Sequence, residues 1–297
     1  MSFIARHSVC LLRRLIKPNL ATLIRAARTI QPIILKNIRE NPAPFCPEIA
    51  GDWTPAATQT ALGAPLLFFL HGGGFLIGAP RLFRLVSREF SLAGFDVFAP
   101  TYRLAPEHVF PAALTDVVQA YKALVSVCVN PIVLAGDSAG GGLAVSMMMK
   151  LRDDGVRLPK AAVLFSPWTD LAATGQSMRL NEGKDAYFTR KTILLGSRAF
   201  LAQTRARNPL ASPIYGNLQG LPPILAHVGA DEVLRDDATR LIDQARAAGV
   251  DAQIEIWPDV PHAWQLLPFL PEAALSRQKA IEFLKEKLVG EPISAQC

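Results

Sequence analysis

The stretch Ile132-Val133-Leu134-Ala135-Gly136-Asp137-Ser138-Ala139-Gly140-Gly141-Gly142 decides the fold. An apolar run of strand length runs straight into Gly-x-Ser-x-Gly, and helical spacing of Ala144, Val145, Met148 and Leu151 follows at once. Flanking glycines allow the backbone to double back between strand and helix, leaving Ser138 exposed at the carboxyl end of the strand as a candidate nucleophile. The helix behind it aims its N-terminal dipole at developing negative charge.

Outward from that turn, the chain alternates. Leu66–Leu70, Phe95–Ala99 and Ala161–Phe165 are further apolar runs suited to strands buried on both faces. Helical patterns over 80–93, 111–127 and 139–153 separate them, and 222–228 and 252–257 supply two more strands around a helix at 234–248. A last helix is expected over 272–288. This order predicts an α/β fold with a mostly parallel sheet, helices on both faces and right-handed crossovers. The stretch 41–65 reads as a connector with at most short edge strands, and 171–210 has no strand signal and reads as an insertion. Residues 3–40 predict two or three short amphipathic helices punctuated by Pro18 and Pro32.

The 297 residues are half apolar, enough for one large domain with a cap, and no apolar run is long enough to span a bilayer. The net charge is +6, but residues 1–40 carry eight Lys and Arg against Glu40 alone, so the remaining body is close to neutral. A basic arm without a reading motif does not point to nucleic acid. It fits helices packed on the protein as part of a cap, or an interfacial contact with anionic lipid through residues 1–40. Cys10, Cys46, Cys128 and Cys297 lack metal-ligand spacing and read as ordinary thiols, and without an evident signal peptide the expected location is cytoplasmic.

A serine hydroxyl needs a base and a carboxylate to orient that base. Of five histidines, His7 lies in the basic arm, His227 inside a predicted buried strand, His108 in a loop before the nucleophile and His71 at the head of a glycine loop. His262 lies in a Pro-flanked loop after the last strand, where open α/β sheets build sites, and is the candidate base. The loop after the preceding strand offers Asp231, Glu232, Asp236 and Asp237. Asp231 comes first after the strand and is favoured, with Glu232 and Asp236 behind it. The order Ser138, Asp231, His262 is that of α/β-hydrolases. His71-Gly72-Gly73-Gly74-Phe75 follows the first strong strand, and backbone N–H groups of Gly73 and Gly74, with that of Ala139, are candidate oxyanion donors. The glycine run lacks the Gly-Lys-Ser/Thr ending of a phosphate loop.

Taken with Tyr102-Arg103-Leu104-Ala105-Pro106-Glu107-His108, Ser166-Pro167-Trp168-Thr169-Asp170, Asp231–Asp237 and Pro261-His262-Ala263-Trp264, these blocks resemble the hormone-sensitive-lipase-like family of microbial carboxylesterases over about residues 50–288. The resemblance implies an α/β-hydrolase fold and a triad of Ser138, Asp231 and His262. It also implies an oxyanion hole of Gly73, Gly74 and Ala139, and a cap built from residues 1–45 and 171–210 over a catalytic domain of 46–170 and 211–297. In that family the residues at His71 and Asp137 shape their loops. The activity implied is cofactor-free and metal-free hydrolysis of a small-molecule carboxylic ester of short to medium chain. A lactone hydrolase or amidase with the same triad, and a noncatalytic binding protein on the same fold, are the rival readings. Phe75, Ile77, Phe110, Tyr187 and Phe188 are expected around the substrate, and a homodimer is a possible assembly. The sequence departs from the family in its strongly basic first 45 residues and in a short segment, 46–64, for the first strands.

Overall fold

A computed structural model describes residues 2–38, 41–58 and 63–289. Seven strands form one sheet: β1 Gly51–Thr54, β2 Leu66–Leu70, β3 Asp96–Pro100, β4 Ile132–Asp137, β5 Ala162–Phe165, β6 Ile224–Gly229 and β7 Ala252–Trp257. Their spatial order is β1-β3-β2-β4-β5-β6-β7, parallel throughout except for β1, which pairs antiparallel with β3 at the edge. Each apolar run expected as a buried strand is one, and β2, β4, β5 and β6 are buried along their whole length. The edge strand β1 falls in the Pro- and Ala-rich connector, where four residues leave little pattern to read.

The helices are α1 Phe3–Leu15, α2 Leu20–Lys36, α3 Arg84–Leu92, α4 Ala112–Val127, α5 Ala139–Asp153, α6 Ser177–Leu180, α7 Arg190–Leu201, α8 Arg235–Ala247 and α9 Pro271–Glu286. Two apolar layers sandwich the sheet. One face packs Phe68, Leu134 and Leu164 against Tyr121, Leu143 and Leu241, the other packs Phe69, Val133 and Val163 against Phe90, Phe283 and Leu284. Parallel crossovers demand this two-sided cover, which is why the strands read as unbroken apolar runs. Pro32 does not punctuate: α2 runs through it. Cys10 and Cys46 are free, whereas Cys128 is disulfide-bonded, so the reading of all four cysteines as ordinary thiols does not hold. Among the described residues no helix is long and apolar enough to cross a membrane.

Candidate active site

The turn at Ser138 is a strained joint held by close packing. Ser138 has φ +53°, outside the range most side chains adopt, at a cost of about 1–3 kcal/mol. Its N–H donates to the Phe165 carbonyl at 2.8 Å, and its carbonyl accepts from Trp168 N–H at 2.9 Å, so β5 and the loop beyond it clamp the serine. Gly140 approaches β2 so closely that a Cβ there would meet the Leu70 carbonyl oxygen at 2.1 Å. The glycines of the motif are thus required by proximity as well as by the turn.

His262 Nε2 lies 2.8 Å from Ser138 Oγ, and its Nδ1 lies 2.6 Å from Glu232 Oε2. The carboxylate against His262 is therefore Glu232, a correction to the expectation that Asp231 would face it. The cause is local. β6 ends at Gly229, and Glu232 N–H closes a turn onto the Gly229 carbonyl at 3.2 Å, folding Glu232 back over the strand end. Asp231 stays at the tip of that turn, its side chain 38% exposed, with Lys184 Nζ 3.9 Å away. Glu232 is buried, and its other oxygen accepts from Gly229 N–H at 2.6 Å and Ser166 Oγ at 2.7 Å. Ser166 Oγ also accepts Ala263 N–H at 3.1 Å, which ties the acid loop to the histidine loop. Asp236, the other fallback, accepts Ser177 N–H and pairs with Arg235 instead.

Burial acts to lower the pKa of His262, but the Glu232 carboxylate and its hydrogen bond outweigh burial, with Asp185 and Asp137 adding to them, and the imidazole is raised above its ordinary value. Asp185 is itself buried and accepts N–H groups of Tyr187, Phe188 and Val233, linking the 181–189 segment to the acid loop. The other histidines take different parts. His227 is a buried core residue 2.7 Å from Ser276 Oγ and held near pKa 4 by burial, and His7 and His108 are exposed.

The glycine loop reaches the serine through Asp137. Gly72 N–H donates to Asp137 Oδ1 at 2.8 Å, and a Cβ on Gly72 would meet Oδ2 at 2.2 Å. Gly73 and Gly74 have φ +115° and +63°, and a Cβ on Gly73 would meet the Ile77 carbonyl oxygen at 2.0 Å. His71, buried and lowered to about pKa 4 by that burial, stacks between Tyr102 and Phe83 beneath the loop. Burial pushes Asp137 up to about 7, against the opposing pull of the Gly72 N–H and His262. Gly73 and Gly74 line the cavity with Ser138 and His262. Ala139 opens α5, where first-turn N–H groups have no partner inside the helix. Its side chain is buried, and it does not line the cavity.

The cavity holds about 760 Å³ and is mostly apolar. Of the expected wall residues, Ile77, Tyr187 and Phe188 line it, and the Phe188 ring meets the His262 ring edge-on at 4.9 Å between centroids. Phe75 and Phe110 do not. Phe75 stacks on Phe200 of α7 at 3.8 Å, and Phe110 packs edge-on against the same ring, so both belong to the core. Leu20, Ala21 and Ile24 of α2, Trp168, and Ile193 and Ala199 of α7 are also part of the wall. Helical spacing marked the α2 residues as one face, but nothing local says what that face meets.

The family profile described as "alpha/beta hydrolase fold" matches residues 67–266. An acetyl-hydrolase of Streptomyces hygroscopicus is 42% identical over 238 residues, 79% of each chain. A crystal structure of an esterase from the bacterial hormone-sensitive lipase family superposes with TM-score 0.83 at 35% identity, covering 97% of this chain and 99% of that one. This chain belongs to the hormone-sensitive-lipase-like α/β-hydrolases. A second member of the family, a hormone-sensitive lipase from a metagenome library, superposes with TM-score 0.84 at 30% identity over 97% of this chain and 99% of that one.

Proposed function

We propose that the protein is a serine carboxylesterase acting through an acyl-enzyme on Ser138, with His262 as base and Glu232 as the group that orients it. One observation carries the reading: a single hydrogen-bonded line runs from Ser138 Oγ through both nitrogens of His262 to buried Glu232, and opens onto an apolar cavity. The names of the relatives, acetyl-hydrolase and esterase, support the reaction class.

In the reaction, Ser138 Oγ attacks the ester carbonyl while His262 Nε2 takes its proton. Glu232 holds Nδ1–H and stabilises the imidazolium that forms. The N–H groups of Gly73, Gly74 and Ala139 are assigned to the oxyanion, where one lost donor costs on the order of 10²–10³ in rate. His262 then gives its proton to the departing alkoxide, and a water activated by the same nitrogen releases the acid. Residues 1–45 and 171–210 form the cap in this reading, since α2 and α7 supply the cavity wall opposite the sheet. A cavity of about 760 Å³ suits short and medium acyl chains with a small alcohol.

The test is initial rates on p-nitrophenyl esters from acetate to decanoate, with lactone and amide panels alongside. The reading expects hydrolysis highest at short or medium length and abolished by Ser138→Ala. Activity retained in that variant would overturn it.

A further inference from the structure

We propose that the outward faces of α1 and α2 dock the protein on an anionic lipid bilayer, keeping the cavity that α2 helps to wall close to that surface. The proposal concerns binding and goes beyond the hydrolytic reading without depending on it.

The inner faces of these helices are committed. Ala5 of α1 is buried against Val260, Trp264, Leu270 and Ala273. On α2, Leu20, Ala21 and Ile24 line the cavity, Arg28 donates to the Leu76 and Ala105 carbonyls, and the Gln31 side chain exchanges hydrogen bonds with Gly78. The other faces are not covered. Ile4, Leu11 and Leu15 form one exposed stripe of α1, and Leu23, Ile30, Ile33 and Ile34 form another on α2. These are seven of the eighteen large apolar side chains exposed among the described residues, on about an eighth of the chain. Monomeric proteins rarely leave apolar side chains gathered this densely on their surface, so the concentration calls for an occupant.

Charge selects the occupant. Residues 1–39 contain no carboxylate side chain and eight Lys and Arg. Four of the cations are tied to carboxylates or carbonyls of the body: Arg6 to Asp259, Arg13 to the Gly183 carbonyl, Arg28 to Glu107, and Lys17 to the Glu182 and Asp185 carbonyls. Arg14 and Lys36 are exposed and make no ion pair among the described residues, whereas Arg25 is turned to the cavity. Apolar stripes flanked by unpaired cations, on helices of 13 and 17 residues, match a bilayer interface: the stripes enter the headgroup boundary and the cations meet anionic lipid. A second copy of the chain would face the same cations and gain no such pairing.

The test is co-sedimentation of the full chain with vesicles of phosphatidylcholine, with and without phosphatidylglycerol, at low and high salt. Binding should require phosphatidylglycerol and weaken with salt. The variant Leu11→Glu/Leu15→Glu/Ile33→Glu should lose at least about tenfold in partitioning while its hydrolysis of p-nitrophenyl butyrate in solution is unchanged. Arg14→Glu/Lys36→Glu leaves the apolar stripes in place and should show a comparable loss, so it decides the matter if the first variant does not fold. No sedimentation of the wild type, equal sedimentation of wild type and variants, or a dimer by light scattering that the variants dissociate without any lipid binding, would each overturn the proposal.

Discussion

Replacing Glu232 with Gln separates the two carboxylates that the chain places side by side. One Glu232 oxygen accepts from Gly229 N–H and Ser166 Oγ, and the other faces His262 Nδ1 at 2.6 Å. In the Gln variant the amide oxygen keeps the two donors, and the amide NH₂ is left facing Nδ1. Nδ1 must then accept, so the imidazole proton moves to Nε2, the nitrogen that has to receive the proton of Ser138. The expected loss in kcat is about 10³–10⁴-fold, or about 4–5.5 kcal/mol. The wild-type rate should fall as pH drops through the raised pKa of His262, because only the neutral imidazole acts as base. Removing the Glu232 charge lowers that pKa, so the acidic limb of the residual activity should move to lower pH. Asp231→Asn, on a side chain 38% exposed, should stay within about twofold of wild type with an unmoved limb. Rates on p-nitrophenyl butyrate from pH 5 to 9 measure both. A collapse in Asp231→Asn beside an active Glu232→Gln would refute the assignment.

Gly73→Ala should reduce kcat by at least about 10²-fold with little change in KM, because the added Cβ meets the Ile77 carbonyl oxygen and pushes the loop from the oxyanion position. Steady-state kinetics on the same ester check it. Ser166→Ala leaves Ala263 N–H buried without its acceptor and Glu232 short of a donor. A stability loss of about 1–3 kcal/mol in urea unfolding and a lower kcat are expected. Asp137 is raised to about 7 by burial, so it contributes stability in its protonated form that is present at acid pH and lost as pH rises toward 7. Asp137→Asn should remove that slope, worth up to about 4 kcal/mol, and gain on the wild type between pH 5 and 8 in urea unfolding.

The sheet was legible because parallel strands covered on both faces leave unbroken apolar runs, and the turn at Ser138 because Gly140 has to approach the Leu70 carbonyl. The histidine that meets Ser138 was legible too, since His262 is the one that follows the last strand. The carboxylate beside it was not: four carboxylates share one loop, and only the turn from Gly229 to Glu232 determines which of them returns to the imidazole. An aromatic residue beside a glycine loop carries no mark of direction. Phe75 therefore read like a substrate wall, although its ring stacks on Phe200 in the core. The α2 side chains of the wall were visible as a helical face, but the cavity they meet is built from residues far away in the chain.

Labelling with a p-nitrophenyl phosphonate tests the account most directly, since attack by an activated serine forms an oxygen–phosphorus bond and expels p-nitrophenolate. Intact mass and peptide mapping should find one adduct, on Ser138, absent in Ser138→Ala and formed far more slowly in Glu232→Gln than in Asp231→Asn. An adduct on another residue, or labelling as fast in Glu232→Gln as in the wild type, would contradict a nucleophile at Ser138 driven by His262 and Glu232.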